Sequence, residues 1–222
     1  MTPISAKVVG RATAAVLLGA LTLNMPASRA QVSNSVSGDA FGAFVQTATA
    51  SLARSPLATL DPTGMGDAVA AAVNVAGVLA AESLNSVTTG VVGENAASAQ
   101  SGSTLQNVNI LAGLITAQLL SGQSSSASNG SAASSNAAGS TVAGLLVGGM
   151  AIADGTPAPN SQIALPGVGT VTLNEQIPRG NGRTTSGLTV NMIHVRLKDA
   201  LTGAQTGDII VGAAESDAAF AR

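Results

Sequence analysis

Apolar residues recur along this chain at a spacing near two rather than 3.6, and Gly, Pro, Asn and Asp break the runs at short intervals, a pattern that predicts strands and turns. Phe41 to Ala50 alternates partly and carries Thr and Val, so it reads as a strand; Asp61-Pro-Thr-Gly64 reads as a turn. Residues 68–81 are rich enough in alanine for a helix on propensity alone, but Val73-Asn-Val75 and Gly77-Val-Leu79 interrupt it with β-formers. Ile163 to Leu173 predicts two short strands around Pro166-Gly167, and Arg179-Gly-Asn-Gly-Arg183 a hairpin-like turn. Leu188 to Leu197 is the strongest strand pattern. Its apolar phase changes midway, from Leu188, Val190 and Met192 to Ile193, Val195 and Leu197, so it needs a bulge or burial on both faces. Gly207 to Gly212 predicts a further strand, antiparallel to it.

Two segments complicate the pattern. Val73-Asn-Val-Ala-Gly-Val-Leu-Ala-Ala81 returns as Val108-Asn-Ile-Leu-Ala-Gly-Leu-Ile-Thr-Ala117 with one inserted residue, and Thr141 to Val147 echoes it weakly. The repetition suits long neighbouring strands with glycine easing a bend, and it leaves a β-solenoid-like fold as the alternative. In Ser121–Ser140, nineteen of twenty residues are Ser, Ala, Gly or Asn, too little apolar area for a core. A flexible loop is expected there, the alternative being flat small-residue strands that continue the sheet. The expected fold is all-β, a β-sandwich-like domain over 41–218, after a flexible lead-in at 31–40 and before a tail at 219–222.

The first thirty residues differ in kind. Lys7 and Arg11 precede an apolar stretch from Ala12 to Leu23; Pro26 follows, and Ser28-Arg29-Ala30 presents small residues at the positions a signal peptidase reads. Residues 1–30 are therefore expected to be a cleaved signal peptide, a leader helix too short to cross a bilayer, which takes about 20 apolar residues. The mature chain is expected outside the cytoplasm, secreted or periplasmic. No later run is long enough to span a membrane as a helix.

Composition narrows the chemistry. The chain has no cysteine, tryptophan or tyrosine, three phenylalanines and a single histidine, and its net charge of -2 falls to about -5 once Lys7, Arg11 and Arg29 are removed. A mature chain with Lys198 as its only lysine offers no basic face for nucleic acid or for an anionic membrane surface. Charged residues make up 9% of the chain, so serine, threonine, asparagine and glutamine must supply the polar surface. His194, beside Arg196 and Lys198 on one strand face, reads as an exposed polar residue rather than a metal ligand or a catalytic base. No nucleophile elbow, phosphate-binding loop or calcium loop occurs. The carboxylates Glu175, Asp199 and Asp208 could form a hydrolytic pair only if the fold brought them within about 5–10 Å. No cofactor, metal or catalytic site is expected. The leading expectation is a non-enzymatic structural or adhesive protein that could associate with itself or a partner through strand edges, with a carboxylate hydrolase and a repetitive β scaffold as alternatives.

One resemblance adds to this. In order, the chain holds Thr104 to Ala117, the Ser/Ala/Gly stretch, Ser140 to Gly149, Leu165-Pro-Gly-Val-Gly-Thr-Val-Thr-Leu-Asn-Glu-Gln176, Leu188 to Leu197 and Gly207 to Gly212. This series resembles the bacterial choice-of-anchor P family of exported surface proteins. The resemblance implies a shared extracellular domain and supplies no catalytic residues. The run Glu215 to Arg222 shows no anchor, a departure that points to release or to retention by a partner.

Overall fold

A computed structural model describes residues 33–221, so the expected signal peptide and the first residues of the lead-in lie outside the described residues. The chain forms fourteen strands in two sheets packed face to face, a β-sandwich. Sheet A has the order β11 (Ser161–Leu165), β12 (Gly169–Gly180), β13 (Thr185–Lys198), β14 (Gln205–Ala219), β1 (Ser35–Thr47), β2 (Ser51–Thr59). Sheet B runs β10 (Met150–Ala151), β9 (Leu146–Val147), β6 (Ile115–Ser128), β5 (Ala97–Ile110), β4 (Leu79–Val92), β3 (Met65–Val75), with β7 (Ala133–Asn136) and β8 (Thr141–Ala143) also on β6. Every ladder is antiparallel, which displaces the solenoid alternative, since coils of a solenoid stack their strands in parallel.

The repeated wording turns out to mark hairpin turns. Val75 pairs with Leu79 and Ile110 with Ile115, so each copy ends one strand, turns, and begins the next at the same end of sheet B. Its glycines, Gly77 and Gly113, occupy the left-handed turn positions rather than a bend inside a strand. The lead-in and the tail are also structured. β1 begins at Ser35, and Phe220 is buried against Ala97 and Ala218, its N–H donating to the Thr184 carbonyl at 2.9 Å.

A seam crosses the sandwich and divides its interior. In sheet A the ladder skips Met192, Asn174 and Gly212, and the last two have φ of 47° and 70°. In sheet B the register shifts around Glu82, with Ser83 and Asn107 both at φ 50°. At the seam the side-chain phase resets. Leu188, Val190 and Met192 on one side and Ile193 and Val195 on the other therefore join one core cluster, and Leu105 gives way to Val108 and Ile110 in the same manner. The phase change in the strongest strand is thus a bulge-like reset that keeps both halves facing inward.

At the seam and on one side of it the core is bulky: Leu84, Leu105 and Leu120 at the seam, and Val45, Ile110, Ile115, Leu173, Ile193 and Ile209 beyond it, are all essentially buried. On the other side the sheets meet over serine, glycine and alanine. Ser124 donates to the Leu188 carbonyl at 2.7 Å and lies 2.7 Å from the Ser216 hydroxyl; Ser126 donates to the Ser216 carbonyl at 3.0 Å; Ser186 donates to the carbonyls of Ala127 and Ser134. A side chain on Gly122 would collide with the Gly212 carbonyl of the opposite sheet, so only glycine fits there. Ser121–Ser140 is therefore not a single loop: its first eight residues complete β6 and it returns as β7. Burial of Ser124, Ser126 and Ser128 is sustained by hydrogen bonds between sheets in place of apolar area, and no buried side-chain nitrogen or oxygen is left without a partner among the described residues.

Candidate functional site

Strands β12, β13 and β14 bring the densest group of ionisable side chains together on the outer face of sheet A. His194 alternates with the core residues Ile193 and Val195 and so points outward; Asn174, in its left-handed conformation, resets β12 so that Glu175 joins the same face. Glu175 pairs with Asn191 across the ladder, and Asp208 lies one strand further on, opposite Arg196. The result is a chain of contacts centred on the imidazole. Nδ1 of His194 is 2.7 Å from Oε2 of Glu175, and Nε2 is 3.0 Å from Oδ1 of Asp208. Asn191 donates to the same Glu175 oxygen at 2.8 Å, Arg196 donates to the other at 2.5 Å and to the Thr172 hydroxyl at 3.3 Å, and Gln205 donates to Asp208 at 2.6 Å.

The sequence reading of His194 as an exposed polar residue needs correction, since its side chain is 10% exposed and Glu175 beside it 9%. The expected carboxylate pair is resolved in two ways. Glu175 and Asp208 do share a face, on either edge of one imidazole, whereas Asp199 stands apart in the β13–β14 turn. There Asp199 accepts from the N–H groups of Leu201 and Thr202 and from the Thr202 hydroxyl, contacts that hold its carboxyl below its ordinary value. Burial pushes the Glu175 carboxyl up, but hydrogen bonds from Asn191, His194 and Arg196, with the histidine charge, outweigh it and hold Glu175 below the usual glutamate range.

These contacts form a clasp that ties β12, β13 and β14 together. Both ring nitrogens face carboxylate oxygens, which only accept, so the arrangement is fully satisfied by an imidazolium with two N–H donors. A carboxyl held ionised has no proton to give as a general acid, and Asn191, His194 and Arg196 occupy both of its oxygens. Glu175 and Asp208 sit on opposite edges of the ring, so they do not converge on one ion, and no group of three or more acidic or histidine side chains among the described residues is placed to hold a metal. What the sequence missed was the roles of Asn191 and Thr172. The signal was present in strand parity: Thr172, His194 and Arg196 are cross-strand or same-face neighbours once the turn at Arg179–Arg183 fixes the β12–β13 register.

A second polar group continues along the same face, where Arg179 donates to Asp217 and Glu215 at about 3.0 and 2.9 Å and to the Thr189 hydroxyl. The outer face of sheet B is different. Its long strands β3 to β6 carry only two charged residues, Asp67 and Glu82, and are otherwise threonine, glutamine, asparagine, serine and short aliphatics. Two adjoining hollows lie on this face, of about 360 and 260 Å³, sharing Thr89 and Gln100. Among the described residues no helix is long and apolar enough to cross a membrane. No family model, curated protein or solved structure matches the chain.

Proposed function

We propose that this chain is an exported, non-enzymatic structural or adhesive protein that assembles through an open strand edge. The observation that carries the reading is the contrast among the sheet edges. On sheet A, β2 is guarded by Arg54 and Pro56, and β11 has 5 residues. On sheet B, the β10 side is made of pieces of 2 to 4 residues. The remaining edge, β3, runs for 11 residues without proline and with one acid, Asp67. Every second residue of β3 turns its N–H and C=O away from β4, and such a long, weakly charged edge is a template for another strand. A second copy fits it well. Antiparallel pairing about a twofold axis at Ala70 sets Asp67 opposite Val73 and Val69 opposite Ala71, so no carboxylate faces another.

Export is supported by the Lys7/Arg11, apolar-run, Ser28-Arg29-Ala30 leader pattern and by the resemblance to exported surface proteins. The test is sedimentation velocity of purified residues 31–222. The wild-type chain is expected to dimerise with rising concentration. A Val69→Lys, Ala71→Lys variant, whose new charges lie on exposed positions, is expected to stay monomeric with an unchanged circular dichroism spectrum. A wild-type chain that remains monomeric at its solubility limit overturns the reading.

A further inference from the structure

We infer that the trough on the outer face of sheet B binds a neutral polysaccharide chain. The two hollows form one continuous depression across β4, β5, β6 and β7, about three strand spacings or ~14 Å wide. Its hydrogen-bonding groups are side-chain amides and hydroxyls, chiefly Gln100, Gln123, Asn136, Thr89 and Thr104, and no lining residue carries a formal charge. That neutrality selects the ligand. A phosphate, uronate or sulfate entering the trough would lose water and gain no counter-charge, which is costly, whereas a sugar hydroxyl both donates and accepts and is satisfied by an amide.

The shape agrees with this chemistry. Gly102 sits on the outer face between Val87 and Gln123, and a side chain there would run into the Gln123 amide, which lies across the glycine. The missing side chain makes a floor on which the amide lies flat, with Val87 beside it for the C–H face of a sugar ring. An extended peptide is less well served, because the backbone groups of a central sheet face are already paired within the ladder and leave none for its main chain. The combined hollow lies within the size range of small-ligand sites. With no aromatic platform to stack on, each site binds weakly.

The proposal is independent of β3 pairing and is tested on the monomeric Val69→Lys, Ala71→Lys chain as well as on the wild type. Native affinity electrophoresis through gels containing laminarin, dextran, xylan or xyloglucan, with polygalacturonate and heparin as charged controls, reads binding as retardation. Retardation by at least one neutral polymer and by neither charged one is expected. In Gln100→Ala the apparent affinity should fall roughly three- to tenfold, the effect of one lost hydrogen-bonding group. Gly102→Leu, which fills the floor, should abolish retardation. Gln100 is exposed, so its variant reports on the site even if Gly102→Leu fails to fold. Retardation by no neutral polymer, by a charged polymer alone, or undiminished in Gln100→Ala overturns the proposal.

Discussion

The two halves of the interior solve the same problem with opposite materials. From Leu105 at the seam outward through Ile110, Ile115 and Ile193, the sheets are held apart and together by branched aliphatic side chains, the usual way to close a sandwich without aromatic mass. At the other end, serine and glycine let the sheets approach until hydroxyls on β6 reach the backbone of β13 and β14 directly. The first half is stabilised in proportion to area and is indifferent to direction. The second depends on a few directed bonds, each contributing about 0.5–1.5 kcal/mol net, and tolerates almost no change of volume. A chain with three phenylalanines can thus still close a sandwich whose central strands run to 13–15 residues.

The largest effect should come from the bulky half. Leu105→Ala removes a fully buried side chain that packs beside Gly212 across the sheets, and is expected to cost about 2–5 kcal/mol in urea unfolding followed by circular dichroism. In the serine half the comparison sharpens. Ser216 meets Ser124 at 2.7 Å and Ser126 at 2.9 Å, and both serines keep their carbonyl partners when its hydroxyl is removed, so Ser216→Ala should cost about 0.5–1.5 kcal/mol, the net worth of a hydrogen bond. Ser216→Val should cost at least as much despite burying more apolar area, because the extra methyl has no room. If Ser216→Val stabilises the protein, the small-residue half is an ordinary loose core and the contrast fails.

Much of this was legible in the sequence, and what was not has a physical cause. The strands from Ile163 onward follow directly from alternation and turn chemistry, and the parity change at Met192–Ile193 announced the seam. β6 was opaque because alternation carries information only when the two faces use different residues. Here Ser124, Ser126 and Ser128 face inward while Ser121 and Ser125 face outward, so a buried strand reads as low complexity. In the sequence the β5–β6 turn reads as a bend because Val108-Asn-Ile110 and Ile115 to Ala117 look alike whether they continue or fold back. At the clasp, Glu175 and His194 were visible as isolated residues. Their meeting depended on Asn174 adopting φ 47°, a conformation that asparagine tolerates but does not advertise.

The smallest effect should come from that clasp, which lies outside both halves and links β12, β13 and β14 by charge instead of packing. Because the Glu175 carboxyl is held below its ordinary value in the folded chain, the folded state binds fewer protons there than the unfolded one. Its contribution is fully present above the usual glutamate range and is lost as pH falls through the depressed folded value. The stability gap between the wild type and Glu175→Gln should therefore be constant near neutrality and narrow on acidification below the glutamate range, as read by thermal unfolding at a series of pH values. Leu105→Ala, acting through an apolar contact, should show no such narrowing. A gap that widens as the pH drops would mean that Glu175 is held neutral in the folded protein, and the clasp would then be a buried carboxylic acid hydrogen-bonded to its neighbours, with chemistry of a different kind.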